Sequence, residues 1–139
     1  DKTYTYLKTI EGKNNTSYNL KNLTSGTTYS YAVRSYKKIG TYTYNGEYSN
    51  ILTTTTSPLK VKNLTVDDRT STSITLDWDK VSRAEGYRIY RYNSESKKYE
   101  LLDEVEGNEK TTYTDKKLVS GKNYSYKVKA YKKIGKYTY

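Results

Sequence analysis

Alternation of apolar and polar residues with a period of two is the main regularity along this chain. Ile74, Leu76 and Trp78 alternate with polar residues, and the segment around Tyr87 and Ile89 repeats the pattern. Side chains two apart lie on one face of a β-strand, so each segment predicts a strand with one buried face. No stretch shows a helical period of useful length, and the abundant Thr and Tyr favour strands. The pattern therefore predicts an all-β protein.

The alternation divides the chain into short predicted strands separated by polar turns. Gly40 and Asn45-Gly46 predict a loop or extended hairpin with residues 41–44 as one arm, and Asn-Gly is the strongest short turn signal. Residues 67–72 are polar and predict a second turn. The predicted strands cover residues 4–10, 16–20, 29–36, 48–56, 59–66, 74–78 and 87–92, after which the pattern of the first part returns.

An internal repeat relates the two ends of the chain. Residues 4–44 align with residues 99–139 without a gap at an offset of 95, and 22 of the 41 positions are identical. In each copy a Ser-Gly turn precedes a strand that begins with Tyr29 or Tyr124. Each of these tyrosines predicts a tyrosine corner, in which the hydroxyl bonds back to the backbone a few residues upstream.

A boundary between two modules is predicted at Ser57-Pro58. Pro58 is the one proline of the chain, and proline lies at strand starts and linkers because it cannot donate a ladder hydrogen bond. Residues 1–56 then form the C-terminal part of a first module, and residues 57–139 form a second module that lacks its last strand. We interpret the chain as a window of a longer tandem array; strand exchange between chains is the alternative.

Four motifs occur in order along the second copy: Leu64-Thr65-Val66 after Pro58, Ile74 to Trp78, Gly86 to Tyr90, and Leu118, Gly121, Tyr124 and Val128 around the second Ser-Gly turn. Together they resemble a fibronectin type III module. The resemblance covers residues 57–139 as one module and residues 1–56 as the last four strands of a preceding one. It implies a seven-stranded antiparallel β-sandwich with Greek-key connections, similar to the immunoglobulin type, in a tandem repeat of about 95 residues.

Composition disfavours most kinds of catalysis. The chain has no His and no Cys, which removes the usual general base, thiolate nucleophiles, Ser-His-Asp triads and ordinary zinc sites. Adjacent carboxylates such as Asp67-Asp68 point to opposite faces of a strand and do not converge. We therefore expect no catalytic residue, no metal site and no cofactor. The aromatic load is 19 Tyr and one Trp, so each buried hydroxyl needs a hydrogen-bond partner.

A candidate binding site lies in the loop predicted between Lys37 and Tyr48. Exposed Tyr42, Tyr44 and Tyr48 beside Lys37 could stack on sugars or bind a partner through cation–π contacts; alternatively, they pack against a neighbouring module. The net charge of +10 favours anionic partners such as wall polymers or acidic glycans. Acidic residues in the second copy disfavour a basic groove for nucleic acid.

The function implied by the resemblance is that of an extracellular structural or adhesive protein. Its modules would act as spacers or form a fibre on a bacterial cell surface, with neighbouring modules or further copies of the chain as partners. The alternative is a glycan- or cell-wall-binding accessory module of a larger secreted carbohydrate-active enzyme, and a third possibility is a self-assembling filament subunit. No apolar run is long enough to span a membrane.

Overall fold

The computed structural model describes residues 3–139; Asp1 and Lys2, the first two residues of the predicted first module, lie outside the described residues. Within residues 3–139 no helix is long and apolar enough to cross a membrane. The strands are β1 (Thr28–Tyr31), β2 (Arg34–Ile39), β3 (Tyr42–Tyr48), β4 (Leu52–Thr55), β5 (Thr65–Arg69), β6 (Ser73–Asp77), β7 (Gly86–Asn93), β8 (Lys98–Glu106), β9 (Thr112–Lys116), β10 (Tyr126–Tyr131), β11 (Lys133–Ile134) and β12 (Tyr137–Thr138).

The second copy is a β-sandwich of two three-stranded sheets. One sheet has the order β5-β6-β9 and the other the order β10-β7-β8, and every pairing is antiparallel. A single cluster of buried side chains joins the two sheets, with Leu76 and Trp78 from one side and Tyr87 and Ile89 from the other. The predicted all-β, antiparallel sandwich fold is confirmed.

The core is centred on Trp78, which is 2% exposed, and on Tyr87, which is fully buried. Their rings meet edge to face with centroids 5.2 Å apart, the arrangement that aromatic quadrupoles favour. The Tyr87 hydroxyl accepts a hydrogen bond from the Val81 amide and donates one to the Asn108 carbonyl, both at 2.9 Å. These two hydrogen bonds explain how a tyrosine hydroxyl can be buried at the centre of the core.

The first copy forms two antiparallel ribbons rather than a sandwich. β1 pairs with β4 and β2 pairs with β3, so the predicted strand over residues 29–36 is interrupted between them. At the interruption Ser49 donates its amide to the Val33 carbonyl at 2.7 Å, and the Val33 amide donates to the Ser49 hydroxyl at 3.0 Å. Hydroxyl pairs between β1 and β4, such as Thr28 with Thr55 at 2.8 Å, hold the first ribbon together.

The predicted strands over residues 4–10 and 16–20 were wrong, because no strand precedes β1 among the described residues. In the second copy the equivalent segments are β8, which pairs with β7, and β9, which pairs with β6. A strand needs a neighbour to receive its backbone hydrogen bonds. No counterpart of β6 or β7 precedes residues 4–10 in the described chain, so these segments form no strand there.

Two turn predictions were correct only in part. The β2–β3 turn is Gly40-Thr41, where Gly40 adopts a φ of 59°, and Asn45-Gly46 lies inside β3. At Gly46 the two strands lie close together instead, because a Cβ there would lie 2.5 Å from the Ser35 hydroxyl oxygen. The predicted polar turn at residues 67–72 begins later, since β5 continues to Arg69.

Strand boundaries in two further places differ from the prediction. The first strand of the second copy begins at Thr65 rather than at residue 59. The returning strand over residues 48–56 is only partly formed, because β3 ends at Tyr48 and β4 begins at Leu52.

Candidate functional site

The hairpin of β2 and β3 carries three of the four predicted site residues on one face. Lys37 lies directly opposite Tyr44, and Ile39 lies directly opposite Tyr42. Directly opposed residues of an antiparallel pair project to the same side, as do residues two apart on one strand. Lys37, Ile39, Tyr42 and Tyr44 therefore share a surface that we call the hairpin face.

Tyr48, the fourth predicted site residue, lies on the opposite side of the hairpin. The pairing changes register between Arg34 and Tyr36, because a bulge adds one residue to β3 near Gly46. Tyr48 consequently pairs with Arg34, whose guanidinium carbon lies 4.8 Å from the centre of the Tyr48 ring. Tyr48 therefore lies apart from the other three site residues, and its ring already contacts the Arg34 guanidinium.

The hairpin face is open to solvent. Tyr42 is 71% exposed, Tyr44 is 58% exposed and Ile39 is 56% exposed. Two aromatic rings beside a lysine can stack on a flat apolar group and attract an anionic one. The face has the chemistry of a contact surface, and it holds no pair of groups suited to bond cleavage.

A second tyrosine cluster, missed by sequence reasoning, lies on the outer side of the β10-β7-β8 sheet. Tyr92 and Tyr99 are directly opposed, and their rings meet edge to face with centroids 5.3 Å apart. The Lys127 ammonium lies 3.9 Å from the centre of the Tyr99 ring. Tyr90 shares this side, since it is two residues from Tyr92 on β7. We call Tyr90, Tyr92 and Tyr99 the sheet face. The sequence contained a signal for this surface, because Ile89 is buried and the alternating residues Tyr90 and Tyr92 must therefore lie on the outer side.

Glu104 is the most strongly perturbed carboxyl of the second copy. The Lys133 ammonium and the Arg88 guanidinium, whose Nε lies 2.7 Å away, lower the pKa of Glu104 from 4.5 to about 2. The Glu85 carboxylate also accepts a hydrogen bond from the Lys133 amide at 2.9 Å. These contacts tie β11 to the sheet, and they leave Glu104 ionised and fully engaged, unsuited to act as a general acid or base.

Asp115 is the buried carboxylate of the sandwich, with 4% of its surface exposed. It accepts a hydrogen bond from the Arg91 guanidinium at 2.9 Å and another from the Tyr126 hydroxyl at 2.7 Å. Burial of Tyr126, together with the charge of Asp115, raises the pKa of the Tyr126 hydroxyl. The cluster is a satisfied structural network. Across the part of the chain that the structure describes, no group of three acidic side chains could hold a metal ion.

The tyrosine corners are present in both copies. The Tyr29 hydroxyl accepts a hydrogen bond from the Thr24 amide, and the Tyr124 hydroxyl accepts one from the Val119 amide, each at 2.9 Å. The glycine of the turn, Gly26 or Gly121, has a positive φ of 58° or 75°. The predicted local structure is thus confirmed twice, with the same geometry.

A close contact joins the first Ser-Gly turn to the second copy. Gly26 is buried, and a Cβ at its position would lie 2.9 Å from the Cβ of Arg83 and 3.2 Å from the Arg83 carbonyl oxygen. The Gly26 amide donates to the Ser57 carbonyl at 3.2 Å, and the Thr56 hydroxyl donates to the Thr24 carbonyl at 2.6 Å. We call this contact the joint. It fixes the first turn against the turn of residues 81–84.

Comparison with known proteins identifies the family of this chain. A poly(3-hydroxybutyrate) depolymerase from Ralstonia pickettii is 39% identical over 67 residues, a match that covers 48% of this chain and 12% of that protein. The crystal structure of the chicken CNTN1 FN1-FN3 domains is 18% identical with a TM-score of 0.46, covering 73% of this chain and 35% of that one. The model of the fibronectin type III domain matches residues 59–139, which is more than half of the chain. This chain therefore belongs to the fibronectin type III family.

Proposed function

We propose that this chain is a non-catalytic extracellular spacer, a structural or adhesive repeat that holds its neighbours at a set distance on a cell surface. The joint is the observation that carries this proposal. A spacer has to transmit orientation from one module to the next, and a free linker would not do so. Here the link at Thr56 and Ser57 is hydrogen-bonded to the first turn, and Gly26 lets the backbone of that turn contact Arg83.

A distance measurement across the joint tests the spacer. Because the chain has no Cys, two can be introduced for spin labels, at Thr43 in the first copy and at Ser96 in the second. We expect a narrow distance distribution for the parent chain and a broader one for Gly26→Asn, since Asn tolerates positive φ but adds a Cβ against Arg83. The matched control is Gly40→Asn, where a Cβ meets nothing within 4 Å. A distribution equally broad in all three proteins would contradict the proposal.

A second candidate function is that of a polymer-binding accessory module of a larger secreted enzyme. It is favoured by the exposed hairpin face, by the partly exposed sheet face and by the similarity to a segment of the depolymerase. Insoluble glycans, bacterial cell wall and poly(3-hydroxybutyrate) granules are the polymers to test by co-sedimentation. If the hairpin face binds, replacing both Tyr42 and Tyr44 by Ser weakens binding at least about tenfold, and replacing Tyr48 does not. Unchanged binding by the double variant would exclude the hairpin face.

A further inference from the structure

The two Ser-Gly turns have the same local structure but different surroundings. Gly26 is covered by Arg83, whereas no heavy atom lies within 4 Å of the Cβ position at Gly121. Positive φ alone does not demand glycine in this protein, since Asn22 and Lys117 adopt φ values of 59° and 60°. The contact with Arg83 gives Gly26 a steric reason to lack a side chain, and within the described residues Gly121 has no such reason.

The surface beside Gly121 is exposed and partly apolar. A shallow depression next to it is lined by Val66, Arg69, Ile74, Leu118, Val119 and Tyr124. Val66 and Val119 on this lining are 51% and 56% exposed, although both are apolar. Exposed apolar side chains around a depression mark a site that another surface can cover.

We propose that the Ser120-Gly121 turn is the docking site for the 81–84 turn of a further module of this kind. The occupant is taken from the joint, where the equivalent glycine receives Arg83. The nearest atoms of Arg83 there are its Cβ and its backbone carbonyl. A carbonyl oxygen also suits the depression beside Gly121, because Arg69 and Lys122 line this depression and supply positive charge.

The proposed contact extends in one direction. The Ser-Gly turn and the 81–84 turn are different surfaces of the module, so each module offers one and receives the other. Along a covalently linked chain of modules, such head-to-tail contacts repeat from each module to the next and extend the array. This inference rests on the proposed spacer function. It adds that the rigid joint seen at Gly26 is repeated at Gly121.

The test extends the chain in register. Tyr139 aligns with Tyr44, so residues 45–139 can be repeated directly after Tyr139, which supplies a second 81–84 turn. A shorter extension, residues 45–57, supplies the next strand segment and the counterpart of the Ser57 carbonyl without that turn. Amide hydrogen exchange of residues 119–122 is then compared among the parent chain and the two extended chains. Exchange should slow in both extended chains where the added Thr56 and Ser57 accept hydrogen bonds, and we expect it to be about tenfold slower still in the long extension.

Matched substitutions separate docking from general stabilisation. Gly121→Asn in the long extension should return the exchange of residues 119–122 to the rate in the short one, whereas Gly135→Asn, at an open turn with a φ of 57°, should not. Equal exchange of residues 119–122 in both extensions would overturn the inference. If the amides around Gly26 stay protected in that case, the spacer proposal is unaffected. If they exchange freely in every chain, the joint itself is absent and the spacer proposal fails separately.

Discussion

At the scale of single residues, Gly86 is the position where a side chain is least tolerable. A Cβ there would lie 2.1 Å from the Val105 carbonyl oxygen and 2.8 Å from the Tyr131 hydroxyl. Gly86 is buried at the start of β7, where it pairs with Glu106. The first contact is with backbone, so relief requires β7 and β8 to move apart.

We therefore expect Gly86→Ala to lower the free energy of unfolding by about 2–3 kcal/mol, measured by urea denaturation. Gly135→Ala is the control for glycine replacement without contact: it meets nothing within 4 Å and should cost about 1 kcal/mol for its positive φ. Equal losses in the two variants would show that the close approach at Gly86 does not constrain the sheet.

The ion cluster around Glu104 predicts a pH dependence at the same scale. The pKa of Glu104 is lowered to about 2 in the folded chain from an ordinary 4.5. A lowered pKa means that the ionised carboxylate stabilises the fold above the ordinary value, and that this stabilisation is lost as the pH falls towards 2.

As the pH falls from about 5 to 2, the free energy of unfolding of Glu104→Gln should therefore decrease less than that of the parent chain. Urea denaturation at each pH measures this free energy. The control is Glu95→Gln, an exposed carboxyl in the β7–β8 turn, which should follow the parent curve. A Glu104→Gln curve parallel to that of the parent would contradict the assignment of the lowered pKa to the contacts with Lys133 and Arg88.

At the scale of elements, buried and exposed tyrosine hydroxyls should differ in what they contribute. Tyr124→Phe removes one hydrogen bond to the exposed Val119 amide, which water can replace, and should cost about 1 kcal/mol. Tyr87→Phe leaves the buried Val81 amide and the Asn108 carbonyl without their partner, and should cost about 2–3 kcal/mol. Thermal unfolding of the two variants measures the difference. A smaller loss for Tyr87→Phe would show that its two hydrogen bonds do not support the core.

Local sequence predicted those elements whose partners also lie in the described chain. The inward positions Leu76, Trp78 and Val128 and both tyrosine corners follow from alternation and a short turn motif, and the structure contains all of them. Residues 4–10 carry the same alternation but have no strand to pair with. Alternation predicts which face a strand would bury and does not show whether a neighbouring strand is present.

The candidate site was predicted in composition but not in geometry. The sequence placed Tyr42, Tyr44 and Tyr48 together because they lie in one predicted loop. The bulge near Gly46 shifts the alternation of side chains along β3 and turns Tyr48 to the other side, towards Arg34. A bulge depends on the pairing of two strands, so no local pattern in β3 announces it.

At the scale of the whole molecule, equivalent apolar side chains pack against a core in the second copy and are exposed in the first. Leu102, Val105 and Val128 pack against the cluster around Trp78 and Ile89. Their counterparts at the offset of 95 residues, which are Leu7, Ile10 and Val33, are 63%, 37% and 69% exposed. In the second copy, the strands that cover these side chains include β6 and β7, which lie within residues 57–98.

Supplying those strands should convert the first copy into a second sandwich. Residue 99 aligns with residue 4, so residues 57–98 placed directly before Tyr4 continue the repeat in register. We expect the added Trp78 and Ile89 equivalents to bury Leu7, Ile10 and Val33, because burial of apolar surface drives sheet packing. Binding of the fluorescent dye 1-anilinonaphthalene-8-sulfonate should fall below that of the parent chain, and amides of residues 4–10 should become protected from exchange. The same addition with Ser at both equivalents is the control, and it should keep dye binding high. If both extended chains bind dye as the parent does, the exposed apolar residues of the first copy do not belong to an unfinished sandwich.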